Sequence, residues 1–93
     1  MRKYEFMVVF NTNEDKYNAG LESVKKILSD AGVVVEEEKP YGDRDLCYEI
    51  KKEKKGRYIL FNIQAAPEKI IEIDRLVKLN TNVLTFMFVR VEK

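Results

Sequence analysis

Histidine and tryptophan are absent from the 93 residues, cysteine occurs once, proline twice and glycine four times. Without histidine, the usual general base and the Ser–His and Cys–His arrangements are missing, so an enzyme is not expected. The single thiol, Cys47, excludes an internal disulfide framework and suits a reducing compartment. The ligand sets for a structural zinc site or a four-thiolate iron–sulfur cluster are also lacking, and no metal or other cofactor is expected. Glycines 20, 32, 42 and 56 are too scattered to cradle a phosphate. No apolar run approaches the ~20 residues of a membrane span. Met1–Arg2–Lys3–Tyr4–Glu5 runs straight into a strand pattern without a leader, so a cytoplasmic protein with no membrane partner is expected. Charge of one sign is lacking too: 17 basic against 16 acidic residues leave +1. Binding to nucleic acid by bulk charge is thereby excluded, and any RNA contact must come from local basic patches and a defined shape.

What is present reads as one domain over 1–93, with 45% hydrophobic and 35% charged residues. Tyr4, Phe6, Val8 and Phe10 alternate with Glu5, Met7 and Val9, which predicts a strand over about 3–10. Asn11–Thr12–Asn13 supplies N-cap candidates, and Tyr17, Leu21, Val24, Leu28 and Ala31 form one apolar stripe on a helix over about 15–31, stopped by Gly32. Val33–Val34–Val35 opens a second strand. Pro40 and Gly42 demand a bend there and so place this strand at a sheet edge, with pairing resumed from Asp43 or Arg44. Leu46, Tyr48 and Ile50, a turn over Lys52–Gly56, and Arg57–Gln64 complete a hairpin. Pro67 begins a second helix whose inward stripe is Ile70, Ile73, Leu76 and Val77. The last strand spans Val83–Val91, with Phe86 and Phe88 on one face and Leu84 a candidate for it.

Strand, helix, strand, strand, helix, strand is the order of the α+β ferredoxin-like split βαβ, βαββαβ. It implies a four-stranded antiparallel sheet with two helices on one face. The covered face should take Phe6, Val8, Phe10, Leu46, Ile59, Phe61, Ile63, Phe86 and Phe88. Met7, Val9, Tyr58, Leu60, Met87 and Val89 then fall on a face that nothing in the chain covers. Such an apolar patch fits a partner-protein surface; partial cover by long Lys and Glu side chains is the plainer alternative.

The acidic run Glu36–Glu37–Glu38 cannot converge on one site, because neighbours on a strand alternate faces. Asp43 and Asp45 share a face and flank Arg44 as a local charge cluster. Basic residues gather in two places. Lys51, Lys52, Lys54, Lys55 and Arg57 surround the hairpin tip, where phosphate binding and ordinary solubilising charge read equally well. Arg2 and Lys3 open the first strand and Arg90 and Lys93 close the last, beside Tyr4, which could stack on a base or sugar.

From end to end the chain resembles the bacterial small-subunit ribosomal protein S-six family. Met1–Arg2–Lys3–Tyr4–Glu5 is similar to the family's Met-Arg-x-Tyr-Glu start, and Gly42–Ile50 resembles its Gly-x-Arg-x-Leu-Ala-Tyr-Pro-Ile stretch. Gly56 and Tyr58 fit the third strand, and Leu79–Asn80–Thr81–Asn82–Val83 through Val89–Arg90 resembles the ending. Asp45 stands where a basic residue or Gln is common, and Thr85 where Arg is common. The resemblance implies a structural ribonucleoprotein of the ribosome, monomeric when free. It implies binding to the central domain of small-subunit ribosomal RNA together with small-subunit ribosomal protein eighteen. By position, Arg2, Tyr4, Arg44 and Arg90, with Lys3 beside them, are its implied RNA-binding residues. Two readings of the same fold compete: a small-molecule-binding regulatory domain, and an acylphosphatase-like enzyme. The acidic Asn11–Thr12–Asn13–Glu14–Asp15 loop, which has neither Arg nor Gly, argues against the second.

Overall fold

The alternating and helical stripes resolve into six elements. The computed structural model describes residues 2–91, in the order β1 (Arg2–Phe10), α1 (Glu14–Asp30), β2 (Val34–Ile50), β3 (Glu53–Ala65), α2 (Pro67–Lys78) and β4 (Val83–Arg90). The four strands form one antiparallel sheet ordered β2-β3-β1-β4. Both helices pack on one face, as the split βαβ order requires.

Local chemistry explains the helix limits. The Asn13 side chain accepts from the Lys16 N–H at 3.2 Å, and Glu14 and Asp15 occupy the first turn, where the helix dipole favours acids. At the other end Gly32 takes φ +73, and the Val33 N–H closes back onto the Leu28 carbonyl at 3.1 Å. Pro67 opens α2, and Arg75 and Lys78 complement its last turn. The inward face of α2 is narrower than the stripe suggests. Ile73 and Val77 are buried and Ile70 is half-buried, whereas Leu76 is exposed.

Phe6, Val8 and Phe10 of β1 and Ile59, Phe61 and Ile63 of β3 are fully buried against Val24 and Leu28 of α1 and Ile73 and Val77 of α2. Phe6 stacks on Phe88 with ring centroids 4.3 Å apart and meets Phe86 edge-on at 5.9 Å.

The edge strand β2 is bent where Pro40 and Gly42 demand it. Its register against β3 slips between Pro40 and Gly42, and pairing resumes at Gly42 opposite Tyr58, one residue before the expected Asp43. It slips twice more, between Val35 and Glu37 and between Asp45 and Ile50. These irregularities blunt an otherwise long exposed edge.

Four expectations change, three at the hairpin and one in β4. The turn lies at Lys51 and Lys52, both with positive φ, rather than over 52–56. Gly56 is instead a buried strand residue, and a Cβ there would collide with Val9 Cγ1. Leu46 sits near Gly56, on the face away from the helices, because Arg44 pairs with Gly56 and the parity carries through. Leu84 also turns to that face. The β1–β4 register jumps from Val9 opposite Thr85 to Phe10 opposite Val83, so Val83 enters the core and Leu84 is the extra, bulged residue.

The second face is therefore not wholly open. The β2–β3 arm runs past the end of β1 and leans back, with Lys51 Nζ donating to the Val83 carbonyl at 2.9 Å. Val9 and Leu60, expected on a bare partner surface, are only 3% and 7% exposed.

Candidate nucleic-acid interface

At the end of the sheet where β1 begins, three of the anticipated residues come together. Arg90 pairs directly across from Tyr4, and Arg2 stands two residues further along β1 on the same face. The Val91 N–H donates to the Lys3 carbonyl at 2.9 Å, which extends the β1–β4 ladder through this end. Tyr4 is half-buried against the core, so its ring is held while Arg2 and Arg90 reach solvent. Among the described residues, neither arginine enters an ion pair. Two solvent-exposed guanidinium forks beside a fixed aromatic ring suit phosphate oxygens and a sugar or base.

Lys3 faces the other way. It shares a shallow depression of about 390 Å³ with Tyr4, Glu5, Glu36, Glu37, Asn62 and Val91. There Asn62 Nδ2 donates to Glu37 Oε1 at 3.2 Å, and Lys39 pairs with the same carboxylate at 3.1 Å. The hydrogen bond and charge of Glu37 hold the Lys39 ammonium above its ordinary value. The carboxylates of Glu5, Glu36 and Glu37 make this depression a poorer phosphate seat than the Arg2–Tyr4–Arg90 side.

Arg44 is not part of that cluster. Arg2 pairs with Ala65 and Arg44 with Gly56, nine residues apart along β3. At the usual strand rise the separation is about 30 Å. Arg44 also lies on the face away from the helices, whereas Arg2 and Arg90 lie on the helix side.

Beside Arg44 the structure holds an arrangement that the residue pattern did not announce. Asp43 accepts from Arg57 Nε at 2.7 Å and from Nη2 at 3.3 Å, while Arg57 Nη1 donates to Glu14 Oε1 at 3.2 Å. The guanidinium lies 4.5 Å over the Tyr17 ring. The Arg57 hydrogen bonds hold the Asp43 carboxyl below the usual carboxylate range, and Arg57 is pushed above its own ordinary value chiefly by Asp43. Arg57 is thus satisfied by two carboxylates and withdrawn from the basic group at the hairpin tip. The partners are 14 and 43 positions apart in sequence, and only the register across the β2 bulge reveals them.

On the same face as Arg44, Met7, Val9, Tyr58, Thr85 and Met87 line an apolar hollow of about 380 Å³, which Phe86 borders from between the last two. Met87 and Val89 are 57% and 44% exposed, and Met7 and Tyr58 are half-exposed. Four of the six residues anticipated for a partner-protein face are therefore accessible. Among the described residues no group of His, Cys, Asp and Glu could hold a metal ion.

Comparison with known proteins matches residues 3–90 to the family model described as Ribosomal protein S6. The small ribosomal subunit protein bS6 of Treponema denticola is 55% identical over 92 residues, covering 99% of each chain. The bS6 of Treponema pallidum is 41% identical, with the same coverage of both chains. The crystal structure of 30S ribosomal protein S6 from Thermotoga maritima superposes with a TM-score of 0.85 at 24% identity, covering 97% of this chain and 87% of that one. The C-terminal domain of the MgtC protein from Mycobacterium tuberculosis shares the fold at a TM-score of 0.69 and 10% identity.

Proposed function

Since the chain belongs to the ribosomal protein S6 family, we propose that it binds the central domain of small-subunit ribosomal RNA jointly with small-subunit ribosomal protein eighteen. Its place is the small ribosomal subunit in the cytoplasm, as a structural component of translation and not an enzyme. The observation that carries the reading is the 55% identity to a curated small-subunit protein across 99% of both chains.

Arg2, Tyr4 and Arg90 form the first RNA contact, with Lys3 at its margin. Arg44 makes a second contact from the far end of the sheet. Phosphate contacts fix the position, and the shape of an RNA junction gives selectivity. The accessible apolar residues Met7, Tyr58, Met87 and Val89 meet the protein partner. The apolar hollow on the face they share supports this reading, and the buried Val9 and Leu60 take no part in it. The free chain acts as one monomeric domain over 1–93. Family membership leaves the small-molecule regulatory reading without an observation that favours it.

The test is reconstitution. The chain, protein eighteen and a central-domain RNA fragment are mixed and separated by gel filtration at moderate salt. A ternary complex that needs both proteins is expected. Replacing Arg2 and Arg90 with Ala should weaken it and reduce the salt slope by roughly 1 for each phosphate no longer neutralised. An unchanged slope in that double variant removes both residues from the interface. A chain that stays alone beside folded partners overturns the joint binding.

A further inference from the structure

Arg57 is satisfied by two carboxylates, whereas Arg44 enters no ion pair among the described residues. Arg44 lies in a short paired stretch, Gly42–Asp45 against Lys55–Tyr58, with a register slip on either side. The stretch belongs to an edge strand, so its backbone is held from one side only. Gly42 takes φ +82 at the first slip, and nothing packs within 4 Å of where its Cβ would be. Among the described residues, the side-chain hydrogen bonds that tie this stretch to the rest of the protein are those of Asp43 to Arg57. Arg57 is anchored in turn to α1, by Glu14 and by the Tyr17 ring.

We propose that Asp43 and Arg57 are positioning residues for Arg44: the ion pair fixes Asp43 on the helix side and thereby presents Arg44 to the opposite side as the contact residue of the complex. Successive strand residues face opposite ways. Pinning one side chain of a loosely held edge segment therefore sets the direction of the next. Arg57, although placed by sequence among the basic residues of the hairpin tip, touches no phosphate itself. The inference rests on the Arg44 contact of the function proposed above.

Asp43→Asn gives a test whose sign is informative. It removes a negative charge next to Arg44 and leaves Arg57 with a weaker partner. Plain electrostatics therefore predicts tighter RNA binding from this variant, whereas loss of positioning predicts weaker binding. Affinities for the ternary complex are measured by titration at fixed salt for wild type, Asp43→Asn, Arg44→Ala and the double variant. Thermal melting confirms that each is folded.

Arg44→Ala should bind about tenfold more weakly, the size of one charge-assisted hydrogen bond. Asp43→Asn should lose about three- to tenfold in the wild-type background and little in the Arg44→Ala background, as coupled residues do. Arg57→Lys, which keeps the charge but not the fork, should lose as much as Asp43→Asn. Tighter or unchanged binding by Asp43→Asn overturns the positioning role, and so does a loss that adds in full to that of Arg44→Ala. If Arg44→Ala alone binds as wild type does, the Arg44 contact itself is refuted, and the positioning role with it.

Discussion

Gly56→Ala should destabilise the protein although Ala is the better residue on conformational grounds. In β3 Gly56 does not take a positive φ, so adding a methyl group restricts the unfolded chain and should stabilise by about 0.4–1 kcal/mol. The position has no room for the methyl. Its Cβ would lie well inside van der Waals contact with Val9 Cγ1, 3.3 Å from Leu46 Cδ2 and 3.7 Å from Leu84 Cδ1. Val9 is 3% exposed and Leu84 6%, so the first obstacle is a packed side chain on a central strand and cannot swing into water. Inserting a methyl into such a site costs about 1–3 kcal/mol. Subtracting the entropic gain leaves a net loss of about 1–2 kcal/mol. For a domain of this size that is a fall in melting temperature of roughly 5–15 °C. Urea unfolding monitored by circular dichroism reads it as a lowered midpoint at unchanged slope. Val9→Ala provides the internal control, because shortening the obstacle should make the Gly56→Ala cost much smaller in the double variant than in the single one. A Gly56→Ala protein as stable as wild type, or a cost that is simply additive with Val9→Ala, would refute the close approach of the arm to β1.

Three further outcomes follow from the same geometry. Asp43 has a carboxyl pKa depressed by Arg57; its contribution to stability is complete above the unfolded carboxylate value of about 3.9 and disappears as pH falls through the lower folded value. Melting temperatures between about pH 5 and pH 2 should therefore fall less steeply for Asp43→Asn than for wild type. Removing the helix cap with Asn13→Ala leaves the Lys16 N–H without its side-chain acceptor and should cost about 1 kcal/mol by urea unfolding. Lys51→Met breaks the link to the Val83 carbonyl, and amide exchange within Leu46–Lys52 should accelerate while exchange at Phe6 and Phe61 stays slow.

The sequence foretold the parts of the fold that depend on local period. The strands, the α1 stripe through Val24, Leu28 and Ala31, the Pro67 start and the bend at Pro40 and Gly42 each follow from residues within a few positions of one another. The parts that stayed hidden depend on counting across bulges. Leu84 leaves the core side because β4 carries one extra residue beside Val9 and Phe10. Leu46 lies on the outer face because Arg44 pairs with Gly56, a cross-strand register that its own apolar character does not reveal. Gly56 looked like a turn residue because glycine usually signals one, whereas here it makes room for Val9. The anticipated binding residues divide for a similar reason. Arg2, Tyr4 and Arg90 converge through the antiparallel pairing of the first and last strands, while Arg44 depends on the register of the irregular edge.

The strand order also governs when the fold can form during synthesis. β1 leaves the ribosome first, yet it occupies the interior of the sheet, with Phe6 opposite Phe61 on one side and Phe88 on the other. Until β3 has emerged, β1 has no neighbour at all, and until β4 has emerged one of its edges stays bare. The helices cannot substitute, because each buries its stripe against the finished sheet. Pairings this distant along the chain make folding slower than in a helical bundle of the same size. The nascent chain therefore carries Phe6, Val8, Val9 and Phe10 without their native cover while β2, β3 and β4 are being made. The sheet can close around them only when the last strand is made.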